Sequence, residues 1–185
     1  IKKIKIEALK VQADFKVFGI DGYVERIEDK ERGITGIGGG VDFSLRMSSG
    51  DLQSAGKVAI VFGKNRIEDY KFWYFDASVN LATIMPTTKG LPIGVVTLKG
   101  ITGGGYKNMK VSYNSSSISG LTFAPQKGQW GFRVGTIFGL KGDVASLAGL
   151  LEMKGETGKG IKRVSLFADL EALLDDENAP VPDLE

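Results

Sequence analysis

Two side chains that carry much of protein chemistry are missing: the sequence contains no histidine and no cysteine. Without cysteine there is no disulfide, no thiolate nucleophile and no sulfur-ligated zinc or iron–sulfur centre. Without histidine the commonest general base at neutral pH and the commonest transition-metal ligand are both gone. Any metal would have to rest on oxygen ligands, which restricts it to calcium- or magnesium-like ions. Charge of one sign is lacking too. Lys+Arg 24 against Asp+Glu 22 leaves +2, scattered along the chain, so no field gathers nucleic acid or an acidic membrane surface. The short basic pairs Lys2-Lys3 and Lys162-Arg163 fit solvated strand edges. No apolar run approaches the roughly 18 residues of a helical membrane span. A signal peptide and an initiating methionine are not seen, which predicts a processed or excised piece of something longer.

What is present is alternation. The 185 residues are 42% apolar and 25% charged, values of an ordinary globular domain able to bury a core. The segment 130–140 places Trp130, Phe132, Val134, Phe138 and Leu140 on one side, with Gly131, Arg133, Gly135 and Gly139 on the other. A period of two marks a strand with one buried face. Similar runs cover 19–27, 41–47, 57–62, 70–81, 93–101, 106–113, 145–153 and 162–170. Near the start, 4–17 alternates in two phases, with a slip between Ala8 and Leu9 that a bulge would produce. The charged stretch 28–33 reads as a turn. Turn signals every 8–15 residues or so predict an all-β, antiparallel fold: a sandwich or an elongated stack of about ten strands. At most one short helix is expected, near the C-terminus at 165–174, where alternation of Val164, Leu166, Ala168 and Leu170 favours a strand instead. Residues 1–174 form the expected single domain, and 175–185, acidic and proline-bearing, an expected tail or linker.

Glycine supplies the one internal similarity. Gly33-Ile34-Thr35-Gly36-Ile37-Gly38-Gly39-Gly40 resembles Gly100-Ile101-Thr102-Gly103-Gly104-Gly105, and each precedes a strand-like segment, so a duplicated unit is one explanation. Neither is a phosphate loop, because a strand follows where a dinucleotide fold needs a helix, and no Gly-Lys-Ser/Thr completes a Walker pattern. The glycines are expected at tight turns or bulges, or where another backbone approaches closely.

No reaction centre assembles. Glu68, Asp69 and Asp76 flank an aromatic strand without a unifying spacing, and Asp175, Asp176 and Glu177 sit in the soft tail. Ser115-Ser116-Ser117 lack a histidine partner and read as a loop, and Asn114-Ser115-Ser116 meets the N-glycosylation pattern. The expectation is therefore no catalytic residues, no cofactor and no metal. Phe72, Trp73, Tyr74 and Trp130 are the candidate ligand or interface aromatics, although burial is the commoner fate of such side chains.

Three stretches carry a resemblance. They are Tyr70-Lys71-Phe72-Trp73-Tyr74-Phe75-Asp76-Ala77-Ser78-Val79, then Gly90-Leu91-Pro92-Ile93-Gly94, then Gly103-Gly104-Gly105-Tyr106-Lys107-Asn108-Met109. Their order resembles a β-rich segment of very large, poorly characterised extracytoplasmic bacterial proteins, over about residues 56–174. The resemblance implies a piece of a cell-surface or envelope protein, with no activity to carry over. The expected function is a non-catalytic structural or interaction module whose partners are other domains of the parent protein or an assembly, and not nucleic acid. Two alternatives involve lipid. One is a β-groove with an apolar inner face. The other is a fragment of an outer-membrane barrel with its apolar face to lipid. Against the barrel stand strands that look shorter than the roughly 9–11 residues of a span, and the uneven placement of charges such as Lys99 and Arg133.

Overall fold

A computed structural model of the chain describes residues 8–113, 121–140 and 145–172. At the slip expected between Ala8 and Leu9 the register is unbroken, Ala8 opposite Glu25 and Leu9 opposite Val24, so no bulge lies there. The serine loop with its glycosylation pattern and the acidic tail lie outside the described residues. Ten strands are seen: β1 (Ala8–Asp14), β2 (Phe18–Asp29), β3 (Ile34–Arg46), β4 (Leu52–Asn65), β5 (Tyr70–Asn80), β6 (Leu91–Ile93), β7 (Val96–Tyr113), β8 (Leu121–Leu140), β9 (Ala145–Glu156) and β10 (Gly160–Ala172). They form one antiparallel sheet in the order β1-β2-β3-β4-β5-β7-β8-β9-β10, with β6 pairing β7 off this path.

The all-β antiparallel class and the strand count agree with the sequence. Of the two arrangements expected, the two-sheet sandwich is not the one found: the strands belong to a single sheet. Among the described residues the one helix, α1 (Leu81–Ile84), is mid-chain rather than near the C-terminus. Asn80 starts it, accepting a hydrogen bond from Thr83 N at 3.1 Å, as an N-cap does. Alternation prevails over leucine content at the end of the chain, where β10 occupies most of the helix candidate.

The glycine clusters are corrected most. Segment 33–40 is not a turn but runs into the body of β3, and segment 100–105 is the middle of β7, joining two stretches read as separate strands. Only Gly33 among them has a positive φ, 66°. Gly36, Gly39, Gly40 and Gly104 are there for space, each having a neighbouring atom within 3.0 Å of where a Cβ would stand, and the same holds at several glycines outside the clusters. A Cβ on Gly131 would stand 2.6 Å from the Tyr106 ring, and one on Gly40 2.9 Å from the Tyr23 ring. Large side chains on one strand thus lie over glycines on the next. The two clusters sit at the same height, since Gly40 and Gly104 share a cross-strand row through Ala59 and Asp76. The main strands are long, two of them because they contain the clusters: 13 residues in β3, 14 in β4, 18 in β7 and 20 in β8. The apparent shortness that argued against a membrane span came from cutting strands at their glycines.

The sheet is curved. In a flat sheet, the six steps from β2 to β9 would separate them by about 29 Å. Yet Asp21 and Glu25 of β2 line the same cavity as Ala148 and Leu150 of β9, a space of about 1270 Å³. The face around this cavity is called inward here and the other outward. At one end of the inward face lies the core, Ile34, Phe72, Tyr74, Tyr106 and Met109, with Ile27, Val61 and Tyr70 against it. Concave curvature crowds inward side chains, and alternating large residues with glycine is how a closed or half-closed sheet fits them.

Candidate functional site

Register assigns each side chain to a face, because directly opposed residues share one. One outward row reads Arg26, Ile37, Phe62, Trp73, Lys107, Trp130 and Gly155 across β2 to β9. The next three rows along the strands run from Leu9, Val11 and Ala13 on β1 to Val164, Leu166 and Ala168 on β10. They hold no charged residue, and Thr136 is their single hydroxyl. These apolar side chains are not covered: Val24 is 49% exposed, Phe75 41%, Val134 43% and Leu166 76%. Monomeric soluble proteins rarely leave so continuous an apolar surface uncovered, and such surfaces mark contact with protein, membrane or ligand. Aromatic residues border it at both ends. Phe62, Trp73 and Trp130 lie at one, and Phe18 with Phe15 and Phe43 at the other, where ring centroids are 4.5 and 5.8 Å apart.

The inward face carries the polar network. Asp76 on β5 accepts from Arg133 on β8, Nε to Oδ1 at 3.1 Å and Nη2 to Oδ2 at 2.5 Å. The two strands are not neighbours, since β7 lies between them. The pair meets over Gly104, whose missing side chain leaves the opening: a Cβ there would fall 2.5 Å from Asp76 Oδ1. On the far side of Arg133, Glu152 is its directly opposed residue on β9 and pairs with Lys154 at 3.1 Å. Towards β1, Asp21 and Asp42 face each other across β2 and β3. Lys10 meets Asp21 at 3.3 Å and Lys57 meets Asp42 at 3.0 Å, so the like charges are offset. Ser54 also donates to Asp42 at 2.9 Å. The charges that looked unevenly placed, Lys99 and Arg133, both line the cavity.

The candidate aromatics divide between the faces. Phe72 and Tyr74 are core residues at 2% and 5% exposure, whereas Trp73 is 39% exposed. Trp73 and Trp130 flank Lys107 in one outward row. They do not form one platform. The carboxylates do not assemble either: Asp76 is held by Arg133, and Glu68 and Asp69 belong to the β4–β5 turn, where Asn65 Oδ1 accepts Ile67 N and Glu68 N. Among the described residues no group of three or more histidine, cysteine, aspartate or glutamate side chains could hold a metal ion. The one carboxyl among the described residues held far from its ordinary value is Glu156 at the β9–β10 turn. Hydrogen bonds from Lys159 first, and then from Lys162, lower it to about 2.

Sequence reasoning passed over Lys64, Lys71 and Lys107, which register collects at the aromatic end of the outward face. Their odd–even parity with Phe62, Trp73 and Phe75 was visible, but their adjacency was not. No protein family, curated protein or solved structure matches the chain.

Proposed function

We propose that this sheet is a wall segment of a transmembrane β-barrel, its outward face against lipid and its inward face lining an aqueous interior. The work is architectural, a membrane-embedded form of the envelope module that the sequence suggests. The observation that carries it is the uncovered apolar face opposite a face of paired charges, the polarity a lipid-embedded wall requires. Dimensions support it. From Trp130 to Leu140 the strand advances about 34 Å at ~3.4 Å per residue. A tilt of about 40° reduces this to about 26 Å, against an apolar band about 25 Å tall in such barrels. Aromatic side chains at both ends of the band match the girdles of the two interfaces. Up-and-down connectivity supports it as well. A lipid-binding groove fits less well, because the cavity side holds Asp42, Lys57, Asp76 and Arg133 while the continuous apolar surface is on the other side.

The test uses the chain's two tryptophans, both outward. In phosphatidylcholine bilayers, lipids brominated on the acyl chain should quench their fluorescence while aqueous iodide does not. Quenching by iodide without quenching by brominated lipid would sink the reading, as would a soluble complex in which another protein covers this face.

A further inference from the structure

Lys64 and Lys71 are directly opposed across β4 and β5, on the outward face with Phe62 and Trp73. Like charges directly opposite one another destabilise a sheet, so their juxtaposition calls for a counter-charge. Lys107 on β7 is opposite Trp73, which makes it the diagonal neighbour of Lys71, about 7–8 Å away. All three are exposed, and among the described residues none forms an ion pair with a carboxylate. The corner is fixed from behind. Asn108, with φ 55°, donates from Nδ2 to Lys71 O at 2.7 Å and accepts from Gly128 N at 2.7 Å. It thereby ties β5, β7 and the interior of β8 together beside Lys107.

We infer that Lys64, Lys71 and Lys107 form a binding site for the phosphate of an anionic lipid headgroup. The inference rests on the lipid-facing reading of the outward surface. Three ammonium groups supply donors to phosphate oxygens, and their methylene stems lie along the apolar surface with the charged tips at the interface. Phe62, Trp73 and Trp130 lie at headgroup depth just inside. The acyl chains then run down over Ile60, Phe75, Phe132 and Val58. A free phosphate would use the lysines alone. The aromatic shelf and the apolar rows beneath it select a phosphate that carries hydrocarbon.

The experiment reconstitutes the whole chain in phosphatidylcholine bilayers and titrates in acyl-brominated phosphatidylglycerol or acyl-brominated phosphatidylcholine, reading tryptophan quenching. A lysine near an anionic lipid contributes about a factor of five, so the three together predict a preference for phosphatidylglycerol of roughly 100-fold. Lys64→Gln/Lys71→Gln/Lys107→Gln should abolish the preference while both lipids still quench. The corresponding triple arginine variant should keep it, which separates charge from an effect on folding. Equal quenching of the native chain by the two lipids overturns the headgroup site and leaves the lipid-facing wall standing. Quenching by neither overturns the wall and the site together. Displacement of brominated phosphatidylglycerol by inorganic phosphate alone also overturns the site as a lipid site, reducing it to an anion site.

Discussion

Substituting alanine at Gly104 tests whether glycine organises the inward face. The new Cβ would lie 2.5 Å from Asp76 Oδ1, 2.6 Å from Phe75 O and 3.1 Å from Asp76 Cα. The Phe75 carbonyl belongs to the β5–β7 pairing and can yield little, so the methyl displaces the Asp76 carboxylate. That carboxylate holds Arg133 through two bonds, with side-chain exposures of 10% and 17%. Overpacking alone costs about 1–3 kcal/mol. Parting a buried ion pair costs about 3–5 kcal/mol as an upper range, reduced here because the cavity admits solvent. The expected loss is therefore about 2–4 kcal/mol, read as unfolding in urea from lipid bilayers. A cycle of Asp76→Ala, Arg133→Ala and the double variant should give a coupling of about 1–3 kcal/mol. In the Asp76→Ala background, Gly104→Ala should cost less, since one of its two clashes is gone. Native stability for Gly104→Ala, together with coupling near zero, would refute the claim that these residues act as one unit across β7.

Other consequences are more local. Phe72→Ala removes a core side chain that is 2% exposed and should destabilise by about 3–5 kcal/mol, measured in the same unfolding assay. Asn108→Ala loses two hydrogen bonds worth about 1 kcal/mol each and puts a methyl-bearing residue at φ 55°. Asn108→Gly should recover only the backbone part, about 1 kcal/mol. Glu156 is held at about 2, below its ordinary 4.5, by Lys159 and Lys162. Its folded value lies below its unfolded one, so its stabilising contribution is complete above about pH 4.5 and fades as pH falls towards 2. Hydrogen exchange at the β9–β10 turn should accelerate over that window, and Glu156→Gln should remove the dependence.

Much of the fold was legible because alternation is local. The split of 70–81 into a Trp73-Phe75-Ala77-Val79 face and its opposite is the one found, and 130–140 is equally faithful. What failed was placing the glycine clusters at turns; the other expectation, close approach of a neighbouring backbone, holds at Gly36, Gly39 and Gly104. A glycine at a turn and one beneath a neighbour's ring look identical in one dimension. Gly131 takes its meaning from Tyr106, and Gly104 from a pair whose members are 57 positions apart. The same blindness hid the lysine corner, since Lys64, Lys71 and Lys107 become neighbours only through strand register. An apolar strand face also states that something must cover it without stating what. The sandwich expectation supplied a second sheet; the structure leaves that face bare.

Parity constrains how such a wall closes. The main path contains β1 to β5 and β7 to β10, nine strands that alternate in direction, so β1 and β10 point the same way. Pairing them with each other would place one parallel junction in an otherwise antiparallel sheet. Antiparallel closure instead requires an odd number of further strands between them, which restores the even count usual in single-chain bacterial barrels. The β10 edge carries the charges Lys162, Arg163 and Asp169 and a bulge between Ile161 and Arg163, features that guard exposed sheet edges. β10 is 13 residues long, contains no proline and alternates Val164, Leu166, Ala168, Leu170 with Arg163, Ser165, Phe167, Asp169. Its alternation continues the outward and inward faces of the sheet, so on the proposed wall reading a strand pairing with it would carry apolar residues outward and polar ones inward.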